Sequence, residues 1–154
     1  MKVSPGFPEL DLDPAPLQLE LKYDQWFVLD LLRNRWLSLN PEEWVRQHVV
    51  FWMLNRLQIP QNLISVERKV GEKSGKRFDV LAYNQSGEPM LLVECKAFDV
   101  SLGMETLLQV TNYNQELNAS FIWITNGLQH GFLKMENGKV QPIQRLPVFG
   151  EMNQ

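Results

Sequence analysis

RFDVLAYNQSGEPMLLVECK, residues 77–96, is the stretch whose reading decides the fold. Two apolar runs flank the turn-forming NQSGE, so residues 77–83 and 89–96 read as the two strands of a hairpin. If the turn is centred between Ser86 and Gly87, residue i faces residue 173 minus i, and facing Cβ atoms lie about 5 Å apart. Asp79 then faces Glu94. Lys96 shares their face, because strand side chains alternate, and it lies opposite Arg77. The other face carries Phe78, Val80 and Ala82 against Cys95, Val93 and Leu91, without a charge, and is expected to be core. Leu81, Leu92, Tyr83 and Met90 line the charged face nearer the turn, so both faces should be covered by helices in an α/β layer arrangement.

Two facing carboxylates repel unless a cation lies between them. Oxygen donors with few other protein ligands suit Mg²⁺ or Mn²⁺. A neighbouring lysine orients a bound water or stabilises negative charge developing on a phosphate. The same groups, with Arg77, also read as an ion-paired cluster that only fixes strand register. Spacing alone leaves both readings open, and a bulge in the hairpin would shift the pairing and remove the constellation.

Upstream, Asn40 is placed to cap a helix, Pro41 suits its first position, and Glu43 follows three residues after the cap. Trp44, Val45, His48, Val49 and Trp52 recur at helical spacing, which predicts a helix over 41–57. LISVERKV (63–70) adds a strand before the hairpin. Downstream, Gly103 to Leu117 reads as a helix through Met104, Leu107, Leu108, Val110 and Leu117, followed by the strand ASFIWIT and a turn at Gly127. A short strand pair can follow near the C-terminus. Residues 17–39 fit strand and helix alike. Residues 1–16, with Pro5, Pro8, Pro14 and Pro16, read as an extended arm. The order is helix, three antiparallel strands, helix, strand, with a mixed central sheet flanked by helices.

The 154 residues suit a single domain, 1–154, and a net charge of −3 excludes a strongly basic nucleic-acid coat, leaving only local contact with DNA. Pro and acidic residues occupy the place of a signal peptide, and FIWI and MLLV fall far short of the roughly 20 residues that cross a bilayer. With Cys95 the single cysteine, a cytoplasmic location is expected and a cysteine-built zinc site is excluded. Cys95 itself, on the apolar face, should be a buried thiol. His48 and His130 stand isolated and read as structural. GEKSGKR (71–77) has three residues between its glycines where a phosphate loop needs four, and is read as a hairpin turn. No nucleoside triphosphate site is expected.

The order of elements, with Asp79 on the second strand of the three and Glu94-Cys95-Lys96 on the third, resembles the PD-(D/E)XK nuclease fold, the restriction-endonuclease-like core. RNRWLSLNPEEWVRQ (33–47), RFDV, VECK, QVTNY (109–113) and ITNG (124–127) resemble in order the N-terminal nuclease domain of type I restriction enzyme R subunits. The resemblance implies that Asp79 and Glu94 hold Mg²⁺ or Mn²⁺ with the backbone carbonyl of Cys95, and that Lys96 is the catalytic lysine. It matches Gln109 and Tyr113 to a Q-x-x-x-Y element, whose i, i+4 spacing puts both on one helix face able to reach the site or DNA; a polar face with a packed tyrosine is the plainer account. Related folds bring in a glutamate from the first helix: Glu43 is preferred to Glu42, although capping explains it equally. Phe78 departs from the family's proline.

Lys73, Lys76 and Arg77, with Arg68 and Lys69, form a basic cluster suited to phosphates, or else a solvated hairpin tip. A Mg²⁺-dependent DNA endonuclease-like domain of restriction or repair is therefore expected, with a catalytically inactive DNA-binding or interaction module as the alternative. A homodimer or partner subunit would be needed to cut both strands.

Overall fold

The computed structural model describes residues 4–70 and 76–154, the side chains of 67–70, 76 and 77 excepted. The ambiguous 17–39 segment is strand: β1 (Leu19–Lys22), β2 (Gln25–Leu29) and β3 (Trp36–Ser38) form a small antiparallel sheet. Its first hairpin closes through Tyr23 and Asp24, both at positive φ, the two-residue turn whose twist matches the strands.

Helix α1 (Pro41–Asn55) begins as its sequence dictates. Asn40 is extended at φ −130°, its side-chain oxygen accepts the Glu43 N–H at 2.8 Å, and Pro41 fills the first turn. Val45, Val49, Val50 and Met53 are buried against the main sheet. A 3₁₀ turn (Gln61–Leu63) leads into β4 (Ile64–Val70), β5 (Lys76–Tyr83) and β6 (Pro89–Cys95), which pair antiparallel. Helix α2 (Met104–Leu117) then crosses over so that β7 (Phe121–Thr125) pairs parallel with β6, and β8 (His130–Glu136) and β9 (Lys139–Ile143) extend the sheet antiparallel. The C-terminal strand pair anticipated from the sequence therefore completes a six-stranded mixed sheet in the order β4-β5-β6-β7-β8-β9. A last turn of helix, α3 (Phe149–Met152), closes the chain.

The sheet has helices on both faces. α1 and the N-terminal arm cover Val80, Ala82, Leu91, Val93 and Trp123; α2 covers Leu81, Leu92, Ile122 and Ile124. α2 buries only part of its expected stripe, for Val110 and Asn114 are inward while Met104 and Leu108 are exposed. An arc through 107, 110, 114 and 117 meets the sheet, and 104 and 108 fall outside it. Within residues 4–16 the chain is extended, as its prolines require, and docked. Phe7 packs edge-on to Trp44, the Trp44 indole N–H donates to the Pro8 carbonyl at 3.0 Å, and Arg56 pairs with Asp13. Leu10 lies so close to Gly127 that a Cβ there would sit 2.8 Å from it. His130 joins this clasp, its Nε2 donating to the Asp11 carbonyl at 3.0 Å. Among the described residues no helix is long and apolar enough to cross a membrane.

Candidate functional site

The hairpin register is the anticipated one where the strands run together: Val80 pairs with Val93, Leu81 with Leu92 and Ala82 with Leu91. A bulge does occur, but between Ala82 and Tyr83 at the turn end; it moves Tyr83 opposite Pro89 and lies away from the charged end, where, among the described residues, the expected Asp79–Glu94 and Arg77–Lys96 pairs are not part of the ladder. Beyond Val80 and Val93 the pattern changes. The Cys95 N–H, which a regular ladder would point at a carbonyl of β5, donates instead to the Asp79 carboxylate at 2.8 Å. β6 meanwhile stays joined to β7, Glu94 pairing with Ile124 and Cys95 with Thr125, and the Lys96 N–H donates to the Thr125 carbonyl at 2.8 Å. β5 and β6 thus part at Asp79, and the charged side chains occupy the wedge. The alternation of β5 breaks there as well. Phe78, expected beside Val80 and Ala82, packs instead with Leu81 and Leu92 on the α2 side.

Asp79, Glu94 and Lys96 are brought together. Glu94 is 8% exposed and Lys96 Nζ lies 3.2 Å from its Oε1. Burial, then the negative charge of Asp79, pushes the Glu94 carboxyl up to about 8 against the opposing pull of Lys96. Burial works against the Lys96 ammonium, yet Glu94, Asp79 and Glu42 together hold its pKa above the usual lysine range. The lysine stays charged, and burial together with the neighbouring Asp79 charge favours the protonated form of Glu94.

Helix α1 closes the wedge with a residue the sequence reading did not single out. Arg46, its side chain 7% exposed, donates to Glu43 at 2.6 Å, Glu42 at 3.0 Å and Asp79 at 3.2 Å. The i+3 and i+4 spacing from Glu43 and Glu42 was the available signal. Glu43 also accepts from Gln47 Nε2 at 3.1 Å, so it stands one guanidinium away from Asp79. Glu42 is the half-exposed member, its carboxyl raised by burial and then by the charge of Asp79. Gln109 and Tyr113 are joined to each other on α2, Nε2 to phenol oxygen at 2.9 Å. Cys95 is buried and its thiol pushed well up by burial. The side chains of Lys76 and Arg77, Lys73 and residues 71–75 of the expected turn lie outside the described residues, while positions 76 and 77 of that turn are already strand β5.

Among the described residues no three His, Cys, Asp or Glu side chains converge as a metal cage. The donor set in the wedge is smaller and harder: two carboxylates and the adjacent Cys95 backbone. The Glu94 carboxyl is raised first by burial and then by the charge of Asp79, and a cation held between the two would oppose both. This chemistry fits Mg²⁺ or Mn²⁺, which take oxygen donors and keep several waters.

A pH dependence follows. The Glu94 carboxyl holds its proton up to about 8 when folded, against an ordinary value of 4.5, so between those values the native state binds more protons than the unfolded chain. The contribution of this group to stability is then fully present below 4.5 and is lost as pH rises through 8. Urea midpoints measured in EDTA should decline over that window, and Glu94→Gln should flatten the decline; an equally steep profile in the variant would exclude Glu94 as its source.

Residues 41–147 match the family described as type I restriction enzyme R protein N terminus (HSDR_N). No curated protein matches the chain. Among solved structures, a fragment assigned to the HsdR subunit of a type I restriction enzyme from Vibrio vulnificus YJ016 superposes with a TM-score of 0.52 at 24% identity, over 74% of this chain and 24% of that one. The type IIG restriction endonuclease BpuSI superposes with a TM-score of 0.49 at 19% identity, over 68% and 13%. The likeness to the HsdR fragment is one of fold, and the chain spans about a quarter of that relative's length.

Proposed function

The chain belongs to the family of type I restriction enzyme R protein N termini, and from that premise we propose that it hydrolyses DNA phosphodiester bonds with the help of Mg²⁺ or Mn²⁺. The observation that carries the proposal is the wedge in which Asp79, Glu94 and Lys96 meet, with Lys96 Nζ 3.2 Å from Glu94 and Asp79 bound to the Cys95 N–H at 2.8 Å. Asp79 and Glu94, with the Cys95 carbonyl, would hold the ion. When bound, it supplies Lewis-acid charge at the phosphate and lowers the pKa of a water. Arg46 and the Cys95 N–H fix the Asp79 carboxylate by 3.2 and 2.8 Å bonds, so the ligand is oriented in advance. Lys96, pinned to Glu94 and charged at neutral pH, provides positive charge where the pentavalent phosphorane accumulates negative charge. Glu42, at the solvent side of α1, is better placed than Glu43 to add a further oxygen ligand or accept a proton. Gln109 and Tyr113 present a polar pair on α2 for the DNA backbone.

The domain is read as one unit, residues 1–154, working in restriction or repair, in the cytoplasm. A single site cuts one strand, so a double-strand break requires a second copy or a partner. Incubation of the purified protein with supercoiled plasmid should yield nicked circles in Mg²⁺ or Mn²⁺ and none in EDTA; intact plasmid across millimolar metal would overturn hydrolysis.

A second proposal, a non-catalytic DNA-binding or interaction module, draws on one observation. Arg46 already neutralises Asp79 without any ion. Calorimetric titration with Mn²⁺ separates the two, since the module predicts no heat of binding at millimolar metal.

A further inference from the structure

PGFP, residues 5–8, lies in the N-terminal arm and has no part in the chemistry assigned so far. Gly6 takes the left-handed conformation at φ +76°, and Pro8 disfavours helical backbone at Phe7. The Phe7 ring lies between two others, its centroid 5.6 Å from that of Trp44 and 5.3 Å from that of Phe98. Those two partners belong to the two backbones that carry the site. Trp44 sits in the first turn of α1 between Glu42 and Arg46, and Phe98 follows Lys96 by two residues. One side chain of the arm therefore bridges the Arg46 wall of the wedge to the Lys96 wall.

The arm is held so that this bridge stays in place. The Trp44 indole N–H donates to the Pro8 carbonyl at 3.0 Å, and Arg56, at the far end of α1, pairs with Asp13. From position 44 to position 56 the helix rises about 18 Å, and the five steps from Pro8 to Asp13 reach at most about 18 Å when fully extended. The arm therefore has little slack along α1. Midway, the Asp11 N–H donates to the Gly127 carbonyl at 2.7 Å, and the Leu10 side chain fills the space that a Cβ on Gly127 would need. The same β7–β8 turn holds the segment after Lys96, because the Asn126 side-chain amide donates to the Val100 carbonyl at 2.8 Å. The arm and the exit of β6 are thus braced on one turn, and α1 is braced on the arm.

Sheet pairing joins β5 to β6 only as far as Val80 and Val93, so the charged end of the wedge takes its geometry from α1. A shift of α1 would move Glu42 and Arg46 relative to Lys96, and with Arg46 the Asp79 carboxylate that it binds at 3.2 Å. A displacement of about 1 Å is enough to cost roughly 10²-fold in rate where reacting groups must align.

We propose that Phe7 is a positioning residue of the site, a pin from the N-terminal arm that sets the distance between the first turn of α1 and the exit of β6. Its effect on rate rests on the nuclease reading, whereas its geometry is tested without cleavage. In EDTA, Phe7→Ala should speed hydrogen exchange at the Cys95 N–H several-fold, because the Asp79 carboxylate that holds it is no longer steadied through α1, and should leave the amides of β8 unchanged. With Mn²⁺, kcat for plasmid nicking should fall about 10-fold or more, with KM for DNA within about twofold of the wild type. Phe7→Leu should restore most of that loss, and adding Phe98→Ala to Phe7→Ala should deepen it little, since both act through one contact. Exchange at Cys95 equal to that of the wild type, or a kcat equal to it, would remove the pin. So would a rise in KM alone, which marks Phe7 as a DNA contact, or exchange quickened equally throughout the sheet, which marks it as a plain packing residue. If the wild type nicks no plasmid, the nuclease reading fails by itself, and exchange at Cys95 alone decides whether Phe7 sets the wedge.

Discussion

Lys96→Met is expected to lower Mn²⁺-dependent nicking by about 10²- to 10³-fold, the cost of deleting one charge aimed at a developing oxyanion. Methionine keeps the length and packing of the side chain and removes only the ammonium. Asp79→Asn and Glu94→Gln should be at least as damaging, since each removes one of the two ionisable oxygen ligands, and should in addition abolish the calorimetric signal of Mn²⁺ binding that Lys96→Met retains. Circular dichroism on all three confirms that the fold survives. Cleavage within a factor of a few of the wild type in any of them would remove that residue from the chemistry, and a Lys96→Met protein that lost metal binding instead would recast the lysine as a ligand-orienting group.

Arg46→Ala should cost about 3–5 kcal/mol, the usual penalty for removing one partner from a buried ion pair. Its side chain is 7% exposed and contacts three carboxylates, so its loss takes the guanidinium from Glu43, which keeps Gln47, and from Asp79, which keeps the Cys95 N–H. At this chain length that amounts to a fall of roughly 10 °C in Tm. Mn²⁺ should raise the Tm of the variant by more than it raises that of the wild type, because the ion restores positive charge beside Asp79. A loss below about 1 kcal/mol would show that the network relaxes into solvent, and equal metal effects on both proteins would mean that the ion does not bind next to Arg46.

Local signals carried much of this architecture. Asn40-Pro41 gave the start of α1, and the symmetric hairpin gave three residue pairs that the structure contains. Those features depend on neighbours in sequence. What escaped depends on distant contacts. The 17–39 segment has apolar content suited to either period, and only closure of a tight two-residue turn at Tyr23-Asp24 makes it strand. The face of Phe78 was misread because alternation assumes an unbroken ladder, and the ladder ends where the Asp79 carboxylate takes the Cys95 N–H. Arg46 was overlooked because a helix arginine normally points to water. Its burial follows from Asp79, thirty-three positions away, a pairing that no periodicity announces. The placement of Gln109 and Tyr113 was legible as a shared helix face, and their mutual hydrogen bond agrees with it.

The lone cysteine has a use unrelated to catalysis. Cys95 is 1% exposed, and the backbone N–H of the same residue is held by Asp79. A thiol-labelling reagent can reach it only when the core between α1 and the sheet opens around it, so the labelling rate in native buffer measures how often that part of the core lets go. The protein carries a built-in clock for the opening of the core behind its charged wedge, readable without substrate, fluorophore or any change to the sequence.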